Sequence, residues 1–186
     1  MGTGKAWAAA SGMVACISGI LLHFAYEWFG GTLWAVLGAV NESTWEHLKL
    51  LFWPVTAMTL IEYVFYGKNM QGFIQAKFIS LLLGMALIVT AFYTYYGVLG
   101  FHFLAADIAV FIVGIAVSYC ITVYLMEGIE RNAEKSGILT SSAFGAIWAW
   151  EGIVLLAMIF IVFTYAPPHI GIFLDPVTGG YGISMQ

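Results

Sequence analysis

Five apolar runs follow one another along the chain, at 6–28, 44–66, 73–96, 101–126 and 141–165. The hydrocarbon core of a bilayer is about 30 Å thick and takes about 20 apolar residues of helix, so each run predicts one transmembrane helix. The interruptions are turn-formers: Gly30-Gly31, Gly67-Lys68-Asn69, the stretch 97–100, the charged loop 127–137, and Pro167-Pro168. Between the first two runs, 32–40 is apolar but too short to span and reads as an interfacial or re-entrant piece. The pattern therefore predicts an all-α fold: a polytopic membrane bundle of five transmembrane helices in a single domain over 1–186.

Composition strengthens that reading. Of 186 residues, 62% are hydrophobic, 17% aromatic and only 9% charged, against about 25% charged in a soluble domain. Mean hydropathy is +0.93. A net charge of −4, with six scattered basic residues, excludes a nucleic-acid partner. The principal partner is the lipid bilayer, and the chain is expected as a multi-pass protein of the cell membrane. Cys16 and Cys120 lie inside apolar runs and read as buried free thiols.

Charge also orients the chain. With the N-terminus inside, Lys5, Lys68, Lys77, Arg131 and Lys135 are cytoplasmic and only Lys49 is outside. The positive-inside rule then favours an inner N-terminus and an outer C-terminus. All four histidines, His23, His47, His102 and His169, fall at the outer face in that orientation, together with Glu27, Glu42, Glu46, Asp107 and Asp175.

The polar residues concentrate at 41–48, N-E-S-T-W-E-H-L. Ser43 followed by Glu46 fits a capping box, in which the serine accepts from the third helical N–H and the glutamate reaches back. Asn41, Glu42, Glu46 and His47 thus form the mouth of the second membrane helix. His23 and Glu27, four apart, share one face of the first helix with Gly12, Cys16 and Gly19. A stripe of small residues lets another helix approach closely. That face is expected to point into the bundle, and it is also the candidate surface for a partner subunit or a homo-oligomer.

Deeper polar residues suggest a path. His47, Pro54, Met58 and Glu62 lie within about 80° of one another on their helix. Asp107 sits in the outer half of the fourth helix, and Glu151 lies near the centre of the fifth, where a carboxylate must be protonated, paired or wet. The terminal segment 166–186, with His169 and Asp175, is expected to fold over the outer mouth as a lid.

Histidine nitrogens with carboxylate oxygens suit zinc, manganese, iron or nickel. The expected metal ligands are His23, Glu27, His47 and Asp107, with Asn41, Glu42, Glu62, Glu151, His169 and Asp175 as pocket or relay residues. Two functions are weighed, the first preferred because it accounts for the deep carboxylates and the second as its alternative. One is an outward-facing pocket for a divalent metal or small polar solute, belonging to a transporter or to its membrane-embedded binding subunit. The other is a metal-dependent membrane hydrolase acting on a lipid or lipid-linked substrate, with Glu46 or Glu27 as base. Haem ligation would require His23 to face another histidine across the bundle.

The motifs H-F-A-Y-E-W, V-N-E-S-T-W-E-H-L-K-L and L-D-P-V-T-G-G-Y-G-I resemble a family of small prokaryotic membrane proteins defined only as a domain of unknown function, which implies no activity. The stretch 41–47 is also similar to N-E-T-x-N-I-W-T-H-L of the progestin/adiponectin receptor and haemolysin III proteins, a group within a superfamily of membrane metal-dependent hydrolases. Asn41, Glu42, Ser43, Trp45 and His47 match when the spacing is shortened by two. The chain lacks that group's seven helices and the H-x-x-x-H pair of its last helix.

Overall fold

The computed structural model describes residues 2–136 and 143–183. The start of the run at 141–165, the end of the charged loop 127–137 and the last three residues of the segment 166–186 lie outside them. Among the described residues there are six α-helices: α1 Gly2–Phe29, α2 Gly31–Leu37, α3 Thr44–Phe65, α4 Phe73–Leu99, α5 Leu104–Ser136 and α6 Ala143–Tyr165. All but α2 are long and apolar enough to cross a membrane. The protein is an all-helical, multi-pass membrane protein.

Several boundaries differ from the sequence reading. Gly97 stays helical, and α4 ends only at Gly100, whose φ of 77° is left-handed backbone that glycine adopts without a Cβ clash. The stretch 127–137, read as a loop from its charge, continues α5 as far as Ser136. Charge there ends the membrane-facing stretch and not the helix, since Glu, Arg, Ala and Lys are all good helix formers.

α3 and α4 are the centre of the bundle. Half of the most apolar window of each is buried inside the chain, against 17% for α6 on the perimeter. Leu51, Phe52 and Val55 of α3 meet Ile74 and Leu81 of α4, with the Phe160 ring of α6 tilted against Phe52. The small-residue face of α1 meets α3 at Gly19 and α5 at Gly12, with Gly12 and Cys16 half-buried. A Cβ on Gly12 would touch the Tyr119 ring, and one on Gly19 would lie 2.5 Å from the Leu50 carbonyl oxygen. That carbonyl is the one Pro54 cannot bond, because proline has no N–H.

The segment 32–40 becomes α2, tucked against α3. The carbonyls of Ala35 and Val36, unpartnered at the end of so short a helix, accept from Lys49 Nζ at 2.8 Å and Trp53 Nε1 at 2.9 Å. Lys49 does not face water, as the charge count assumed. It is fully buried, paired to Glu46 at 2.5 Å, and also donates to Thr164 Oγ1 at 3.1 Å. All three ammonium protons therefore find acceptors, the condition for tolerating a buried charge.

Lys77 is buried likewise, in the first turns of α4, against the Glu62 carboxylate. With these two lysines inside, the surface bases with described side chains are Lys5, Lys68 and Arg131, all at the end of the bundle away from the histidines. Cys16 is half-buried and Cys120 is exposed on the perimeter of α5; both are free thiols.

Candidate metal centre

Local structure at 38–47 sets the first part of the site. Ser43 is the N-cap of α3 and its Oγ accepts the Glu46 N–H at 3.4 Å. The other half of the expected capping box is not formed by Glu46. Asn41 Oδ1 accepts the Ser43 N–H at 2.9 Å, while Glu46 turns inward to Lys49 and accepts from Val40 N at 3.0 Å. Glu42, just before the cap, is left pointing to the same side as His47.

His47 is fixed by its backbone. Its Nδ1 lies 2.9 Å from the Ser43 carbonyl oxygen, so Nδ1 carries the proton and donates, leaving the lone pair on Nε2. A partner on the second nitrogen is the usual way a ligating imidazole is held in its tautomer. α1 brings His23 to meet it: the two Nε2 atoms are 3.2 Å apart. Glu42 Oε2 is 3.5 Å from His47 Nε2 and 3.7 Å from His23 Nε2.

The three residues form a triangle of possible ligand atoms. In a tetrahedral site with bonds of about 2.0–2.1 Å, any two ligand atoms are roughly 3.3–3.4 Å apart. Edges of 3.2, 3.5 and 3.7 Å approach that figure, and the arrangement can hold a metal with one position left for a fourth group. The rings meet at 61° with centroids 5.1 Å apart, which leaves no slot for a porphyrin plane between them.

The other predicted residues separate. Glu27 stands one turn beyond His23, exposed, outside the triangle. Asp107 belongs to a second cluster at the same end, bonded to the Tyr95 hydroxyl and 3.1 Å from His102 Nδ1. Five residues apart on one helix, positions 102 and 107 would stand about 140° from each other. His102, however, precedes the first residue of α5, so helical geometry does not govern it.

Asn41 ties the terminal segment down through Nδ2 to the Gly182 carbonyl at 2.8 Å, and the Trp45 ring packs tilted against Phe173 with centroids 4.7 Å apart. Asp175 is buried and closes its own turn, accepting from Val177 N at 3.0 Å and Thr178 Oγ1 at 2.6 Å. His169 is exposed and stacked on Tyr181. Glu62 is paired with Lys77 at the far end. Glu151, near the middle of α6, is exposed on the perimeter with no ion pair or side-chain hydrogen bond among the described residues.

Sequence reasoning used Lys49 and Lys77 only as markers of topology, did not single out Tyr95, and placed Glu42 among the pocket residues rather than beside the histidine nitrogens. One signal was available: Glu46 and Lys49 are three apart inside an apolar run, the spacing of a helical ion pair.

Taken together, the fold and this cluster define a helical integral membrane protein with a His-His-carboxylate group at one end. The chain belongs to the family described as Family of unknown function (DUF6512), which matches residues 2–183. No curated protein and no solved structure matches it.

Proposed function

We propose that His23, His47 and Glu42 hold a divalent transition metal, and that the protein is a metal-dependent membrane hydrolase acting on an ester or phosphoester of a lipid or lipid-linked substrate. The observation carrying this reading is the triangle of Nε2, Nε2 and Oε2 with its open position. Closed four-ligand sites are structural, whereas catalytic zinc sites keep three protein ligands and a place for water. Zinc fits two imidazoles and a carboxylate well, and manganese or iron would use the same donors.

The bound metal would supply a water acidic enough to attack at neutral pH. Glu27, one turn from His23 on the same side of α1, would take its proton; Glu46 is committed to Lys49. The triangle is part-exposed and borders Phe24 and Trp28, both exposed, as suits an amphiphile arriving from the bilayer. The likeness of 41–47 to a group of metal-dependent hydrolases points the same way. With Lys5, Lys68 and Arg131 at the opposite end, the positive-inside rule turns the site outward from the cell membrane.

The transport reading has less support. A path inward would have to pass the layer of Leu51, Phe52, Val55 and Phe160, each at most 1% exposed, and Glu151 faces away from the interior.

The test is elemental analysis of the detergent-purified protein beside His23→Ala and His47→Ala variants, followed by hydrolysis of fluorogenic lipid esters and phosphoesters. About one equivalent of metal in the wild type, lost in both variants, with turnover abolished by chelator, is expected. A wild type that takes up no zinc, manganese, iron or nickel overturns the reading.

A further inference from the structure

At the end opposite the histidines, α1, α3, α4 and α5 enclose a cavity of about 310 Å³. Its walls are largely apolar and aromatic, including Trp7, Met70, Phe73 and Met126, and the Lys5–Glu127 ion pair at 2.9 Å stands at its rim. Glu62 and Lys77 line it from within, 0% and 3% exposed.

The two buried lysines among the described residues are not equivalent. Lys49 fills its donors with three oxygens and does not line this cavity. Lys77 has one carboxylate, and its ammonium otherwise lies over the rings of Tyr119 at 4.3 Å and Phe73 at 5.7 Å. Beyond that ion pair, the Tyr66 hydroxyl is the one donor beside the Glu62 carboxylate among the described residues, which leaves acceptor positions of Glu62 unused. Buried charges short of hydrogen bonds are costly, so this pair holds donors and acceptors in reserve beside an open space. Tyr66, just past α3, adds a phenol that burial first, and the Glu62 carboxylate second, push well above its ordinary range. It stays neutral, a donor.

The cavity does not end at the bundle's interior. A groove of about 620 Å³ between α1 and α5 shares Lys5, Ala8, Val123 and Glu127 with it and runs along the perimeter past Gly12 and Ala116. A polar chamber joined sideways to an apolar groove has the shape of a headgroup and its chain.

We propose that this end of the protein is a lipid site, taking a phospholipid with a zwitterionic primary-amine headgroup: its ammonium on Glu62, its phosphate on Lys77 and one acyl chain in the α1–α5 groove. The Glu62–Lys77 pair is neutral overall, so a net-neutral headgroup answers both halves. An anionic headgroup leaves Glu62 unanswered, and a quaternary ammonium has no N–H to give it. The site lies at the far end from the metal triangle and does not rest on the hydrolase reading.

The experiment is native mass spectrometry of the delipidated full chain, offered equal amounts of phosphatidylethanolamine, phosphatidylcholine, phosphatidylglycerol and diacylglycerol. One phosphatidylethanolamine per chain is expected, retained about tenfold over the others, as one charged hydrogen bond provides. Glu62→Met with Lys77→Met should erase the preference. Ala116→Trp, an exposed groove position where folding is not at stake, should reduce retention of phosphatidylethanolamine by a similar factor, while His23→Ala leaves it unchanged. Equal retention of all four lipids, or retention unaffected by Ala116→Trp, overturns the proposal. Competition by free phosphoethanolamine as strong as by the lipid also overturns it, in favour of a soluble ligand.

Discussion

Gly19 of α1 faces the Leu50 carbonyl of α3 so closely that a Cβ at Gly19 would stand 2.5 Å from the oxygen. Pro54 leaves that oxygen without its helical partner, and His23 follows Gly19 by one turn. The contact that lets the two backbones approach thus sets the distance between His23 and His47. Gly19→Leu is expected to push α1 outward and weaken metal binding by at least about tenfold, the size of effect that displaced supporting groups have on metal affinity. Isothermal titration with zinc measures it. Unchanged affinity would mean the histidines are placed by other contacts.

The ligand assignment makes sharp distinctions among neighbouring acids. Glu42→Gln should lower metal affinity, since a neutral amide replaces an anionic ligand, whereas Asp107→Asn and Glu46→Gln should leave the metal bound. Glu27→Ala should retain the metal and lose about 10²–10⁴-fold in turnover, the usual contribution of a positioned base. Elemental analysis and a turnover assay on the same preparations separate binding from chemistry.

Acid should strip the metal. A coordinated imidazole must be neutral, so protons compete for His23 and His47, and affinity falls as pH drops through the range about 6.5 where free imidazole titrates. Zinc titrations at about pH 5 and pH 7.5 should differ by more than tenfold, with protons released on binding. A flat profile would argue for carboxylates alone as ligands.

Glu46 and Lys49 offer a stability test. Glu46→Met alone strands a buried ammonium and should cost about 3–5 kcal/mol, while Glu46→Met with Lys49→Met should cost much less. The double variant still leaves the Ala35 carbonyl without its donor, so some loss remains. Thermal unfolding in one detergent compares the three proteins.

Glu151 lies exposed near the middle of α6, and a carboxylate near mid-membrane with no partner among the described residues is unfavourable by a few kcal/mol. Glu151→Leu should therefore raise the unfolding midpoint in detergent and leave the metal in place. A fall in the midpoint would show that the carboxylate has a partner after all.

The amino-acid sequence alone determined the class of protein: five apolar runs of membrane-spanning length, their punctuation by glycine and proline, and a polar mouth at 41–48 opening α3. Those properties are local, written in periodicity and composition. It also marked His23 and His47 as special, because an ionisable residue inside an apolar run is conspicuous. Which groups meet was decided only by the tertiary structure. Glu42 rather than Glu27 joins the histidines because Asn41 and Ser43 cap α3 and turn the residue between them outward. Glu46 leaves the mouth because a buried lysine and the end of α2 draw it in. Glu151 and Glu62 look alike in a hydropathy plot, yet one faces the perimeter and the other lines a cavity beside Lys77. The side of a helix that faces its neighbours depends on how helices distant in the chain pack, and no local pattern carries that information.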